Sequence, residues 1–324
     1  MRHIWIGRLI AAGLALSGAF AANAQSFPQQ PVTMIVPFPP GGGTDTGSRL
    51  LAQKLSEKWG QQVIVDNKPG GAGIVGLEIA SKAKPDGYTI VMGNIGTQSI
   101  NPSLYKKLPY NADTAFTPIT LVAELPLVLV VNPSTAAKST AELIAAAKAK
   151  PGDFTYSTSG NGSSMHLAAA LFENQAGLKL THVPYKGGGP AIQDLIGDHV
   201  TMSFATVLET SGQIKSGKLK AIAVTSDKRS PALPDVPTAA ETGLPGYNSI
   251  SWIGLLAPGG TPQPIVDKIA ADVKAVLAEP ATRQQFIDQG ALPVGSTPAE
   301  FKALIETDRA RYGKIIVEKD IKLE

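Results

Sequence analysis

The chain has 324 residues, with 29 Lys and Arg against 26 Asp and Glu, four His and no Cys. A net charge of +3 without a basic cluster gives no field for nucleic acid or an anionic membrane, and the lack of Cys excludes disulfides, thiol catalysis and cysteine metal sites. Some 300 residues beyond a leader exceed what one hydrophobic core usually organises, so two lobes are expected.

Met1 to Ala24 carries Arg2 and Arg8, an uncharged run from Leu9 to Phe20, and Ala22-Asn23-Ala24 before Gln25. A basic start, a short apolar centre and an Ala-x-Ala exit describe a signal peptide over 1–24, cut after Ala24. The run is short for a bilayer span, and no later stretch offers about 20 uncharged apolar residues. The mature product is expected to be soluble and exported, and removal of the leader leaves 27 basic against 26 acidic residues.

The first strand, Val32 to Val36, runs into Pro37-Phe38-Pro39-Pro40-Gly41-Gly42-Gly43-Thr44-Asp45 and then into a helix expected over Thr46 to Trp59. The prolines stiffen this turn, and the glycines let a ligand approach the main chain. Unpaired N–H groups and the positive end of the helix dipole favour an anion there. Phe38, Gly42, Gly43, Thr44 and Asp45 are therefore candidates to bind a carboxylate. A plain strand-to-helix turn fits the same residues.

Strand Gln62 to Val65, helix Ile74 to Ala83 and strand Thr89 to Met92 continue the alternation. A second set comprises helix Ala141 to Lys148, strand Thr155 to Ser157, helix Ser163 to Asn174, strand His182 to Pro184, helix Gly189 to Asp194 and strand Leu219 to Val224. Short strands alternating with helices indicate parallel sheet with crossover helices. Two apolar stretches between the sets, Thr120 to Val131 and Ile250 to Ala257, read as strands crossing between lobes. Lobe 1 is then 25–124 plus 250–324, and lobe 2 is 125–249. Near the C-terminus, Ile265, Val266, Ile269, Val273, Val276 and Leu277 share a helical face. Gly290 is placed to end a helix over Arg283 to Gln289, and Thr297-Pro298-Ala299-Glu300 is a capping box.

Five motifs in order carry a resemblance along essentially the whole chain: Val36-Pro-Phe-Pro-Pro-Gly-Gly-Gly-Thr-Asp45, Asn67-Lys-Pro-Gly-Gly-Ala-Gly73, Lys84-Pro-Asp-Gly-Tyr-Thr89, Tyr156-Ser-Thr-Ser-Gly-Asn-Gly-Ser-Ser-Met-His-Leu167 and Val183-Pro-Tyr-Lys-Gly-Gly-Gly-Pro-Ala191. The chain resembles the Bug family of periplasmic solute receptors, of the kind that serve tripartite tricarboxylate transporters. The resemblance implies an α/β, two-lobed periplasmic binding protein of the Venus flytrap type, with two parallel-rich sheets and the ligand closed between lobes. It also implies a periplasmic location, a small organic carboxylate as ligand, and the membrane subunits of such a transporter as partners.

Ligands of open α/β sheets sit beyond the carboxyl ends of the strands. The second lobe offers its own loop there, in which Ser159, Asn161, Gly162, Ser163 and Ser164 supply hydroxyl, amide and backbone donors. One serine is expected to cap the following helix and at least one other donor to face the ligand. By the resemblance, Thr97 lines the same cleft, although a structural turn hydroxyl fits it equally. Tyr185, beside Lys186, is placed to close one end of the pocket, and His166 belongs to the cleft wall or the lobe core. Bug receptors commonly carry Phe-Asp-Asn where this chain has Phe204-Ala205-Thr206. Without that aspartate Ala205 cannot pair with an ammonium group, so a dicarboxylate or an aromatic acid is expected rather than an amino acid.

Enzyme signatures are incomplete. Gly71-Ala72-Gly73-Ile74-Val75-Gly76 matches G-x-G-x-x-G, but the strand ends too early and no acid stands at a following strand end. There is no G-x-S-x-G elbow and no G-x-x-x-x-G-K-[ST] loop, and His3, His166, His182 and His199 lack metal-site spacing. No cofactor, metal or catalytic residue is expected. A transport receptor leads; a sensory receptor handing the bound shape to a signalling protein, or an exported enzyme of unknown chemistry, are the alternatives.

Overall fold

The computed structural model describes residues 27–318 and residue 321. The expected leader and its cut after Ala24 lie outside the described residues. The chain opens with β1 (Val32–Val36), α1 (Gly43–Trp59), β2 (Val63–Asn67), α2 (Ile74–Ser81) and β3 (Thr89–Asn94). β1 pairs parallel with both β2 and β3, because each crossover helix returns the chain to the same end of the sheet. α1 begins at Gly43, earlier than the expected Thr46, and stops where Gly60 takes φ +63° and its N–H closes on the Ser56 carbonyl. Beyond β3 a π-helical turn, Gly96–Ile100, leads into the short α3 (Asn101–Leu104).

The long β4 (Phe116–Val131) is followed by α4 (Thr140–Ala149), β5 (Thr155–Thr158), α5 (Ser164–Ala176), β6 (Thr181–Pro184), α6 (Gly188–Ile196), β7 (Met202–Thr206), α7 (Val207–Lys215) and β8 (Lys220–Val224). The chain closes with β9 (Ile250–Pro258), α8 (Gln263–Ala278), α9 (Pro280–Asp288), β10 (Leu292–Pro293) and α10 (Pro298–Glu318). The sequence reading assigns no element between Asp194 and Leu219, yet β7 and α7 stand there. Thr206 and Glu209 form a reciprocal capping box at the start of α7, the same Thr-x-x-Glu pattern that starts α10, where the Thr297 N–H donates to the Glu300 carboxylate at 2.8 Å.

The fold is two-lobed α/β, and its strands form one continuous array in the order β2-β1-β3-β9-β4-β7-β5-β6, with β8 and β10 both on β4. β4 belongs to both halves. From Phe116 to Pro126 it runs antiparallel to β9, and from Leu127 to Val131 it lies against β7 and β8. Its register against β9 slips between Pro118 and Thr120, where proline cannot supply the ladder N–H. β4 starts before the expected Thr120 and tolerates this slip.

The apolar core divides the same way. One cluster is built from Leu127 through Tyr247. Two others draw on residues up to Leu125 and from Trp252 onward, and from the middle of the chain they take in only Leu167 and Leu208. The apolar face foreseen on α8 is buried at Val266, Ile269, Val273, Val276 and Leu277. Leu208 lies close to Gly47 of α1, and its burial contributes about 2 kcal/mol toward holding α7 on α1.

Candidate functional site

The loop between β1 and α1 is stiffened from below. Asp45 Oδ2 accepts the Gly41 N–H at 3.0 Å and the Arg49 Nε–H at 3.0 Å, and its Oδ1 accepts from Asn67 Nδ2 at 2.8 Å. Asn67 Nδ2 also donates to the Phe38 carbonyl at 2.9 Å. The structure thus turns Asp45 into its own loop and away from the cleft. The α1 N-cap is Gly42, whose lack of a side chain leaves the helix start without a local side-chain cap. The G-x-G-x-x-G stretch serves packing. A Cβ on Gly76 would lie 2.7 Å from Pro37 Cα and 2.7 Å from the Lys68 carbonyl oxygen, so α2 can press onto this loop only with glycine there.

A carboxylate from the other lobe fills the open start of α1. Glu209 Oε2 accepts the Gly43 N–H at 2.7 Å, while its Oε1 accepts the Thr206 N–H at 3.3 Å. Burial pushes the Glu209 carboxyl up to about 7, against the two N–H bonds, which pull it down. The crevice therefore carries an acid although position 205 is alanine. Ala205 is buried in the core of the second lobe, and the acid stands at Glu209 on the next helix. The Thr206-x-x-Glu209 pattern was the sequence signal for that side chain, but a capping box alone does not say that its second oxygen leaves the helix.

The loop between β5 and α5 is built differently. Ser163 is the N-cap and its Oγ accepts the His166 N–H at 3.2 Å, while the Gly162 N–H donates to His166 Nδ1 at 3.2 Å. The Gly162 and His166 N–H groups are thus satisfied within the loop, and Ser159, Gly160, Asn161 and Ser164 line the crevice. Ser163 is thus the serine that caps the following helix. Gly162, with φ +75°, abuts Leu104 of the first lobe and lines neither chamber.

The crevice has two chambers that share Phe38 and Ser159. The inner one, about 30 Å³, touches Gly42, Gly43, Thr44, Asn94, Ser164, Thr206 and Glu209 and reaches β4 at Leu125 and β9 at Ser251. It has room for a water or two. The outer one, about 260 Å³, lies between the Gly70–Gly73 loop with Tyr105 on one side and Ser159–Asn161 with Pro184, Tyr185 and Lys186 on the other. Tyr185 lines its wall and donates its hydroxyl to Asp194 at 2.5 Å. Asn94, which the sequence reading passed over, donates through Nδ2 to Thr44 Oγ1 at 3.1 Å.

Two further candidates lie elsewhere. Thr97 Oγ1 accepts the Asn94 N–H at 2.9 Å and lies 3.0 Å from the Asn94 carbonyl, so it closes a turn and lines neither chamber. His166 stacks on His182 at 4.2 Å, 4° from parallel, and the Tyr156 ring lies 4.9 Å from His182 and 6.4 Å from His166. Burial lowers His166 to about 4, and burial followed by the neighbouring His166 lowers His182 to about 3. His166 lines neither chamber and instead borders a separate hollow with Tyr156 and Glu173. Among the described residues, no group of three or more His, Cys, Asp and Glu is placed to hold a metal ion, and no helix is long and apolar enough to cross a membrane.

Two lobes closing on a crevice lined by backbone and hydroxyl donors define a solute-binding receptor of the periplasmic binding protein class. Residues 48–321 match the model of the TctC family, described as the tripartite tricarboxylate transporter family receptor, and the chain belongs to that family. It is 35% identical over 320 residues to BugT of Bordetella pertussis, covering 96% of this chain and 98% of BugT. Among solved structures, Rpa4515 of R. palustris with adipate superposes with a TM-score of 0.89 at 35% identity, covering 91% of this chain and 99% of that one. MatC of Rhodopseudomonas palustris with bound malate gives a TM-score of 0.83 at 33% identity, covering 90% and 100%. The family is one of receptors, and the periplasmic binding protein BugD is among the similar solved structures, so this chain is a solute-binding receptor and not an enzyme.

Proposed function

We propose that the exported protein, cut after Ala24, binds a small organic carboxylate, a dicarboxylate or an aromatic acid, between its lobes and delivers it to the membrane subunits of a tripartite tricarboxylate-type transporter. The observation that carries this reading is the Gly43 N–H holding a carboxylate at 2.7 Å. The start of α1 is thus an anion cradle in use, and a solute carboxylate fits the same donors. We take 25–124 plus 250–324 as one lobe and 125–249 as the other; the change of partners along β4 at Pro126 and the division of the apolar clusters support this.

In this reading the backbone at Gly42, Gly43 and Thr44 receives the solute carboxylate, with Ser159, Asn161, Ser164 and Thr206 as further donors. The body of the solute extends into the outer chamber between Phe38 and Tyr185. Charge-assisted hydrogen bonds contribute about 1.5 to 3 kcal/mol each and micromolar binding requires about 8 kcal/mol, so three to five such contacts with partial apolar burial suffice. That adipate and malate appear with solved relatives supports the carboxylate class. Titration calorimetry of the processed protein against adipate, malate, citrate, phthalate, aspartate and glutamate tests the reading. Micromolar binding of one acid class is expected; tighter binding of the amino acids than of the acids lacking an amine would overturn it.

A further inference from the structure

We propose that Glu209 is a tethered stand-in for the solute carboxylate, which holds the lobes together when no solute is present and which the solute must displace to occupy the cradle. Glu209 is then the residue that sets the affinity of the receptor for carboxylates. The inference rests on the carboxylate reading of the cleft given above.

The geometry of α7 aims the side chain. In the capping box, Thr206 Oγ1 accepts the Glu209 N–H at 3.3 Å and Glu209 Oε1 accepts the Thr206 N–H at 3.3 Å. That closes one oxygen into the helix start, and at an exposed helix the second would meet solvent. Here Oε2 reaches the Gly43 N–H across the crevice, 166 residues away in sequence. α6 is cut to fit the same oxygen, since a Cβ on Gly188 would lie 2.6 Å from Oε2. The starts of α1, α6 and α7 therefore meet at one carboxylate, and each brings the positive end of its dipole. This is the environment in which a solute carboxylate would sit.

With Glu209 in place the inner chamber is small, about 30 Å³, and its donors at Gly43 and Thr206 are already engaged. Two carboxylates on one buried set of donors would also repel each other. No other charged group relieves this. Of the elements packed against α7, α1 brings Asp45 and Arg49, which are paired with each other. α6 brings Asp194, held by the Tyr185 hydroxyl, β4 brings the exposed Glu124, and β7 has no ionisable side chain. Among the described residues, Glu209 is the sole ionisable side chain lining the inner chamber. A solute must therefore break the Glu209 to Gly43 bond or meet a protonated Glu209, and burial moves the carboxyl toward that form.

A latch populated in about nine of ten unliganded molecules weakens apparent affinity about tenfold. The test compares wild type with Glu209→Gln, which keeps a capping-box acceptor, and with Glu209→Ala, both verified as folded by circular dichroism. Small-angle scattering of the solute-free proteins is expected to show an increase in radius of gyration from wild type to Gln to Ala; identical radii would overturn the latch. Calorimetry with adipate, malate and phthalate at pH 5.5 and 8.0 is expected to show wild type binding more weakly at pH 8.0. Glu209→Gln should bind about tenfold more tightly than wild type there, with little pH dependence. Weaker binding by Glu209→Gln at pH 8.0 would overturn the stand-in, since Glu209 would then be holding the solute. If wild type and variants alike bind none of these acids, the carboxylate reading of the cleft fails and scattering alone judges the latch.

Discussion

The loops Pro37–Gly43 and Ser157–Ser163 follow the same strand-to-glycine-to-helix course and differ in what stands at the helix N-cap. Ser163 caps α5 with its own oxygen, and the neighbouring Gly162 N–H is taken by His166. Gly42 gives α1 no such oxygen, so the Gly43 N–H is left for an acceptor from outside and finds Glu209. A helix start that caps itself is a structural end; one capped by glycine is a vacancy for an anion. The first loop therefore offers backbone to the crevice and the second offers side chains.

The largest effect is expected from closing that vacancy. A Cβ at Gly43 would lie 2.5 Å from Thr206 Oγ1 and 3.3 Å from Thr206 Cγ2, and turning the hydroxyl aside would break its bond to the Glu209 N–H. Gly43→Ala should keep the lobes from meeting and lower carboxylate affinity by about 100-fold, the loss of one or two charge-assisted bonds, with little change in melting temperature. Calorimetry checks this, and affinity within threefold of wild type would count against the cradle.

The two loops should also titrate with opposite sign. His166 is depressed to about 4, below an unfolded value near 6.5, so the unfolded chain takes up a proton that the folded one refuses. Its stabilising contribution is present above pH 6.5 and is lost as pH falls toward 4, by ~3 kcal/mol at most. Glu209 is raised to about 7, so its contribution is complete below about pH 4.5 and is lost as pH rises through 7. Urea unfolding from pH 4 to 8 should therefore resolve two branches. Glu209→Gln should flatten only the high-pH branch, and His166→Asn, which keeps an acceptor for the Gly162 N–H, only the acidic one. A variant that moved the wrong branch would refute the assignment.

The smallest effect comes from exchanging the caps. Ser163→Ala should cost about 1 kcal/mol of stability. Gly42→Ser has room, since the nearest atoms to its Cβ are 3.7 Å away. It should add a few tenths of a kcal/mol while weakening solute binding, because its own hydroxyl would take a donor meant for the ligand. Thermal unfolding and calorimetry on the two variants measure both effects.

Local chemistry was legible in the chain. The alternation of short strands and helices, the glycine loops beyond strand ends, the serine cap of α5 and the Thr297 box of α10 each depend on residues within four positions of one another. The crossing at β4 was legible too, because a strand buried on both faces reads as an apolar run wherever it lies, but β9, which was expected to cross as well, pairs only with β3 and the first part of β4. β7 and α7 were missed although Thr206-x-x-Glu209 marked the helix start, since a box without a periodic apolar stripe behind it attracts little weight. Whether Ser159 or Thr97 reaches the crevice, whether His166 faces it or the His182 stack, and whether an acid is present once position 205 is alanine were decided by packing between lobes. A cap is satisfied three residues away and can be read along the chain; the partner of Gly43 lies 166 residues away, and only closure of the lobes brings Glu209 to it.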